Sequence, residues 1–332
     1  MIRRLSLLSV AHFGVDFACA ALYFGRLGDS ADWWTILLLY NACAFSMQLP
    51  LGILADRWNR NRLFALIGVC AVFASFALRG APLLGAILAG LGNGAFHVGA
   101  GVEILNASGS RAGPLGVFVS PGAIGLYLGT AYAGLWSAQE WIVLVLLAVC
   151  AACVAFSANG NPLSHSENVP FALPETGKTA LPLLALFTVV ALRSALGTTE
   201  AFRAAGVWPI VGVLCVAGGK AAGGYLGDRF GLRPVGGVSL GLCAMLLCIP
   251  TGWAHLAALL LFNMSMPLSL HGAAAYWKNA KGASFGLLTL ALFLGLIPTL
   301  LSMPLPNNTL LYVGLTLASL GLLLFGLRED RV

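Results

Sequence analysis

The chain has 332 residues, of which 9% are charged and 59% hydrophobic, with a formal net charge of +6 and a mean hydropathy of +0.90. Soluble domains carry roughly 25% charged residues, so a soluble fold is excluded, because so much apolar surface can only be covered by lipid. The basic excess is explained by the membrane side on which it falls, and no nucleic-acid partner need be invoked.

Apolar runs of about 20 residues, each long enough to cross a hydrocarbon core of about 30 Å, recur almost end to end. They predict twelve helices at 5–25, 33–55, 63–79, 82–107, 113–135, 140–158, 180–199, 204–227, 234–253, 255–277, 282–302 and 309–327. Arg3 and Arg4 ahead of the first run resemble the start of a secretory signal. That run holds His12 and Asp16 and lacks a clear small-residue cleavage site, so it is read as a retained span. Residues 159–179, with Pro162, Pro170 and Pro174, are the one long polar connection. They are read as an irregular cytoplasmic linker between an N-terminal six-helix bundle (1–158) and a C-terminal one (180–332). The eight cysteines fall mostly inside apolar runs and are expected to be reduced packing residues, with no metal or cofactor.

With the N-terminus inside, thirteen lysines and arginines face the inner side and only Arg26, Arg79 and Arg203 the outer, while Arg193 and Lys220 lie within spans. That positive-inside bias predicts cytoplasmic termini, and a bacterial-type inner membrane is expected. Trp33, Trp34, Trp136, Trp141 and Trp253 fall at the outer ends, as an interfacial aromatic belt would.

One short signature occurs twice, 172 residues apart: Gly52-Ile53-Leu54-Ala55-Asp56-Arg57 and Gly224-Tyr225-Leu226-Gly227-Asp228-Arg229. The same offset sets Gln48 opposite Lys220 and Asn59 opposite Gly231. The duplication points to a repeat-built secondary transporter with its substrate site between the repeats. The glycine admits a close neighbouring helix, and the aspartate can accept hydrogen bonds from arginines and a helix N-terminus.

These motifs resemble the major facilitator superfamily, whose loop between helices 2 and 3 reads G-x-L-a-D-r-x-G-r, with a weaker copy between helices 8 and 9. Asn59 stands where the family usually has glycine, and asparagine also tolerates a left-handed turn. The resemblance implies an all-α polytopic membrane protein, twelve transmembrane helices in two pseudo-symmetric six-helix bundles, with helices 1, 4, 7 and 10 lining a central path. The run Phe118 to Gly129, with Phe96-His97, His12, Asp16 and Arg193, is similar to the fosmidomycin-resistance-like branch of drug exporters. Val98 and Gly129-Thr130 depart from that branch's pattern.

Ionisable groups inside spans are costly and therefore candidates for function. His12 and Asp16, four apart, share a face of the first helix near mid-membrane and are the candidate coupling pair. Asn93 and His97 share a face of the fourth helix, and His97 is the preferred cavity residue. Glu103 points elsewhere, nearer the inner end, where Arg111 or Lys220 is its expected partner. Arg193 cannot shed its charge and is expected to meet Asp16 or a substrate anion. Lys220 is assigned to the inner gate, through Asp228 or Glu103, and His271 to the cavity as a near-counterpart of His97. The cavity set is thus His12, Asp16, Asn93, His97, Arg193 and His271. The gating set is Gly52, Asp56, Arg57, Glu103, Lys220, Gly224, Asp228 and Arg229.

With no G-x-x-x-x-G-K-[ST] motif, an ion gradient is expected to drive transport, with a proton, or else sodium, as coupling ion. The expectation is a monomeric, non-enzymatic carrier of a small polar or anionic solute. A carrier of a metal ion or metal complex is the alternative, and a membrane enzyme or non-transporting sensor a more distant one.

Overall fold

The computed structural model describes residues 1–159, 171–172, 176–203 and 209–327, and every regular element among them is helical. In chain order the helices are α1 (Ile2–Arg26), α2 (Trp33–Trp58), α3 (Asn61–Ser75), α4 (Pro82–Ser108), α5 (Gly113–Ala131), α6 (Glu140–Ala155), α7 (Thr176–Gly197), α8 (Pro209–Phe230), α9 (Leu232–Leu247), α10 (Gly252–Tyr276), α11 (Lys281–Leu300) and α12 (Thr309–Gly326). Nine of the described helices are long and apolar enough to cross a bilayer, and α3, α6 and α9 are shorter apolar helices at three of the predicted spans.

The differences from the predicted boundaries have local causes. α9 ends at Leu247, short of Pro250, and α10 begins at Gly252, where the Thr251 hydroxyl caps it by accepting from the Ala254 amide at 3.3 Å. α3 stops at Ser75, so Arg79 is free to reach Glu140 at 3.1 Å, and Arg26 meets the same carboxylate at 3.4 Å. α5, predicted as one helix, is two pieces, Gly113–Val119 and Pro121–Ala131, because Pro121 has no N–H to carry the ladder across Ser120. α7 begins at Thr176, within the span assigned to the linker. Most of that linker, and the predicted start of α8 at 204–208, lie outside the described residues.

Repeat-related positions share a positive φ, though not the same ψ. Asn59, which ends α2, has φ 50°, and Gly231, which follows α8, has φ 91°, so both copies turn through positive φ into the next helix. Within the first half α3 packs on α4 and α1 on α5 and α6, and within the second α7 packs on α11 and α12 and α9 on α12. The halves meet chiefly through α2 with α11 and α5 with α8, contacts that the repeat exchanges. Lipid offers no hydrophobic drive for helices to associate, so close approach through small residues carries much of the packing. Cys150 and Cys153, spaced C-x-x-C on α6, are unpaired, and the Cys150 sulfur occupies the space that a Cβ on Gly14 of α1 would need.

Candidate functional site

At the membrane side that holds the N-terminus, the two signature copies build the same joint. Asp56, at the end of α2, accepts the backbone N–H groups of Gly282 (2.9 Å) and Ala283 (2.8 Å) at the start of α11. Asp228, at the end of α8, accepts those of Ala112 (2.6 Å) and Gly113 (2.9 Å) at the start of α5. Each carboxylate meets unsatisfied amides at the positive end of a helix dipole in the opposite half. Gly52 and Gly224 make room for this: a Cβ on Gly52 would collide with the Gly282 backbone, and one on Gly224 with that of Ala112. The sequence allowed arginines as donors to these aspartates, but Arg57 lies over the Phe171 ring and Arg229 over Phe230.

Beyond these joints a cavity of about 310 Å³ lies between the halves, lined by His12, Asp16 and His97 on one wall and Arg193 and Lys220 on the other. Asp16 Oδ2 lies 3.2 Å from His12 Nε2, and Asp16 Oδ1 lies 3.5 Å from His97 Nε2. The two Nε2 atoms are 2.9 Å apart. Asn93 Nδ2 donates to Asp16 Oδ1 at 3.1 Å, which fixes that oxygen as an acceptor. Gly122 of α5 leaves the space, since a Cβ there would strike both Asp16 Oδ2 and His12 Nε2.

The remaining ring nitrogens decide the protonation chemistry. His12 Nδ1 lies 2.7 Å from the Phe118 carbonyl oxygen and His97 Nδ1 lies 2.9 Å from that of Asn93. A carbonyl only accepts, so both Nδ1 atoms must donate, and in neutral rings both Nε2 atoms then carry lone pairs. Two lone pairs 2.9 Å apart repel, whereas one proton between them makes a hydrogen bond of ordinary length. One proton shared between the two imidazoles, with the Asp16 carboxylate beside them, would satisfy all of these contacts.

The break in α5 supplies one of these restraints. The Phe118 carbonyl, in the interrupted turn, accepts from His12, and the next carbonyl, that of Val119, accepts from Lys220 Nζ at 3.3 Å. The Ser120 hydroxyl shares its one proton between the Gly116 carbonyl of its own helix at 2.7 Å and the Ala217 carbonyl across the interface at 2.8 Å. A single irregular turn thus joins the histidine pair of one half to a cation of the other.

Several expected partners differ. Arg193 does not meet Asp16: Nη1 donates to Asn263 Oδ1 at 3.3 Å, Nη2 lies 3.3 Å from the Met266 sulfur, and Nε is sealed without a partner. Asn263 and Met266, on α10 directly beside α7, intercept the guanidinium before it can cross the cavity, and among the described residues no carboxylate forms an ion pair with it. Lys220 turns to Val119 and the cavity, because the amides of α5 already occupy Asp228. Glu103 takes Arg4 of α1 at 3.2 Å, in place of Arg111 or Lys220. His271 lines a separate chamber near the N-terminal side, not the central cavity. Gln48 went unassigned, yet it lines the cavity with its Oε1 buried and unpartnered. The signal that marks it is its repeat relation to Lys220.

No family model matches the sequence, and no curated protein matches it either. Solved structures do. The Escherichia coli fucose:proton symporter FucP aligns with a TM-score of 0.67 at 13% identity, over 98% of both chains. The human organic anion transporter MFSD10 aligns at 0.70 and 14%, over 97% of this chain and 99% of that one. A bacterial homologue of the iron transporter ferroportin, in an outward-facing state, aligns at 0.63 and 15%, over 97% of both. At such identities the likeness speaks to architecture, and the chain has the fold of major facilitator superfamily transporters.

Proposed function

We propose that this chain is a proton-coupled secondary transporter that moves a small polar or anionic organic solute by alternating access. The observation that carries the reading is the 2.9 Å approach of two imidazole nitrogens whose other nitrogens are both committed as donors. Such a pair takes up a proton readily, whereas sodium, a hard cation, prefers oxygen ligands. Arg193 and Lys220 on the facing wall supply positive charge for a substrate anion. The bundles 1–158 and 180–332 rock about this cavity, and the Asp56 and Asp228 joints close its cytoplasmic side. The protein works as a monomer in an inner membrane, with export of a drug or metabolite as the direction that the sequence resemblance implies.

In the cycle, a proton enters between His12 and His97, and Asp16, held by Asn93, stays ionised as its counter-ion. The added positive charge alters the field at the Val119 turn, to which Lys220 is tethered, and so alters how strongly the C-terminal wall holds an anion. Proton and substrate occupancy are thereby linked across the interface that opens and closes.

The test is uptake into proteoliposomes under an imposed pH gradient, using a substrate found by thermal-shift screening of metabolite and antibiotic libraries. His97→Gln and Asp16→Asn should lose gradient-driven accumulation while exchange without a gradient persists. Undiminished accumulation in both variants would remove the histidine pair from the coupling role.

A second reading, a divalent metal ion as cargo, has one observation in its favour: ligand atoms of His12, Asp16 and His97 lie within 4.8 Å of one another. The two cations in the same cavity oppose it. Calorimetric titration with zinc or iron(II) decides, since a metal carrier binds with a dependence on His12 and a proton-coupled anion carrier does not.

A further inference from the structure

The two joints are built alike but leave very different spaces. Beside Asp56 the cavity amounts to about 20 Å³, whereas beside Asp228 there is a chamber of about 690 Å³. Closing the membrane side requires neither volume, so the larger one calls for another explanation.

Its lining is strongly basic. Arg111 comes from the α4–α5 turn, Arg233 from the first turn of α9, Lys278 from the α10–α11 turn and Lys281 from the start of α11. The one carboxylate there among the described residues, Asp228, already accepts two amides. His271 also faces the chamber. It is only 7% exposed, and its Nδ1 is sealed without a hydrogen-bond partner. The Nε of Arg233 is likewise buried and unpartnered. Unpaired buried donors and a concentration of like charge are both costly unless an anion accompanies them.

We propose that this chamber binds a phosphate-bearing anion, and that its occupancy holds the halves closed on the N-terminal side. Two guanidinium groups fit the tetrahedral oxygens of phosphate bidentately, and Arg111, Arg233 and Lys278 together exceed the charge of Asp228, which is already committed to two amides. The volume is larger than inorganic phosphate needs and suits a phosphorylated solute or a lipid phosphate headgroup. The ligand is gripped by Arg111 of one half and by Arg233 and Lys278 of the other, so it binds tightly only while the halves are together. By linkage it then favours that state and slows turnover. This site stands apart from the central cavity and does not depend on how that cavity is coupled.

The experiment titrates inorganic pyrophosphate into the intact purified protein in neutral-detergent micelles. In parallel it compares thermal stability in nanodiscs of phosphatidylcholine alone and with phosphatidylglycerol. Pyrophosphate binding that weakens at least about tenfold in Arg111→Gln/Arg233→Gln identifies a soluble phosphate ligand. Stabilisation confined to phosphatidylglycerol, and lost in the same variant, identifies a headgroup. Arg111→Lys/Arg233→Lys keeps the charge and the fold's electrostatic setting but cannot form bidentate contacts, so it should also weaken binding. No binding of either probe, or binding indifferent to both arginine pairs, overturns the proposal.

Discussion

Replacing Asp56 with asparagine should loosen the α2–α11 joint and leave the α8–α5 joint in place. The carboxylate accepts two amides at 2.9 and 2.8 Å, and hydrogen bonds to charged groups contribute about 1.5–3 kcal/mol each. Asparagine keeps one acceptor oxygen and loses the charge that faces the α11 dipole, so the joint should weaken by about 2–4 kcal/mol. At about 1.4 kcal/mol per factor of ten, that is roughly 30- to 800-fold in the opening equilibrium of this joint. Hydrogen–deuterium exchange reads it directly, since the Gly282 and Ala283 amides are the groups released. Peptides across 281–284 should exchange faster in Asp56→Asn, and those across 112–116 should respond instead to Asp228→Asn. Joints built from different elements should combine nearly additively in the double variant. Unchanged exchange at 281–284 in Asp56→Asn would mean that the carboxylate does not hold α11, and the gate assignment would fall with it.

Three further outcomes are expected. Gly122→Ala drives a methyl group into Asp16 Oδ2 and His12 Nε2, so proton-driven accumulation should fall by at least about tenfold while far-ultraviolet circular dichroism stays helical. Arg193→Met removes the guanidinium from the cavity wall and should raise KM for an anionic substrate roughly 10- to 150-fold with a smaller change in kcat, as initial-rate uptake will show. Pro121→Ala restores an N–H that can donate to the Val117 carbonyl; if the turn regularises, the Phe118 carbonyl swings into line with the helix axis and its contact with His12 weakens, so coupling measured by substrate-induced proton flux should drop while substrate affinity is retained.

What the sequence made legible was what local patterns encode. The 172-residue offset of the two signatures and the shared turn at Asn59 and Gly231 are properties of neighbouring residues, and they located both joints. The spacing of His12 and Asp16 put them on one helical face for the same reason. Partners distant in the chain were not legible: the Gly282 amide lies 226 residues from Asp56, and His97 lies 85 residues from His12. Arg193 shows how a short-range alternative wins, because Asn263 and Met266 of the adjoining α10 are nearer than any carboxylate across the cavity. His271 was misassigned through depth. It lies five residues before the end of α10, about 7.5 Å of helix rise, whereas His97 is eleven residues, about 16 Å, from the end of α4. Matching the two by repeat offset alone ignored where α10 stops, and it stops early enough to leave His271 in the basic chamber.

The interrupted turn of α5 explains why the histidine pair and the facing cations belong to one device. In the irregular turn of α5 the Ala123 amide donates to the Ser120 carbonyl, so the ladder does not run on through Val119, whose oxygen is turned to Lys220. Pro121, with no N–H to donate to Val117, breaks the ladder where α5 passes between the halves, and in that irregular turn the carbonyls of Phe118 and Val119 accept from side chains of opposite halves. The same turn is pinned to α8 through Ser120 and Ala217, on the surface along which the halves must shift. Any relative motion of α5 and α8 therefore bears on the hydrogen bond that fixes the His12 tautomer, and with it on whether the two imidazoles retain their proton. Under the proposed coupling, a change of access and a change of protonation would be one event, and the proline that sequence rules count as a defect in the helix would connect them.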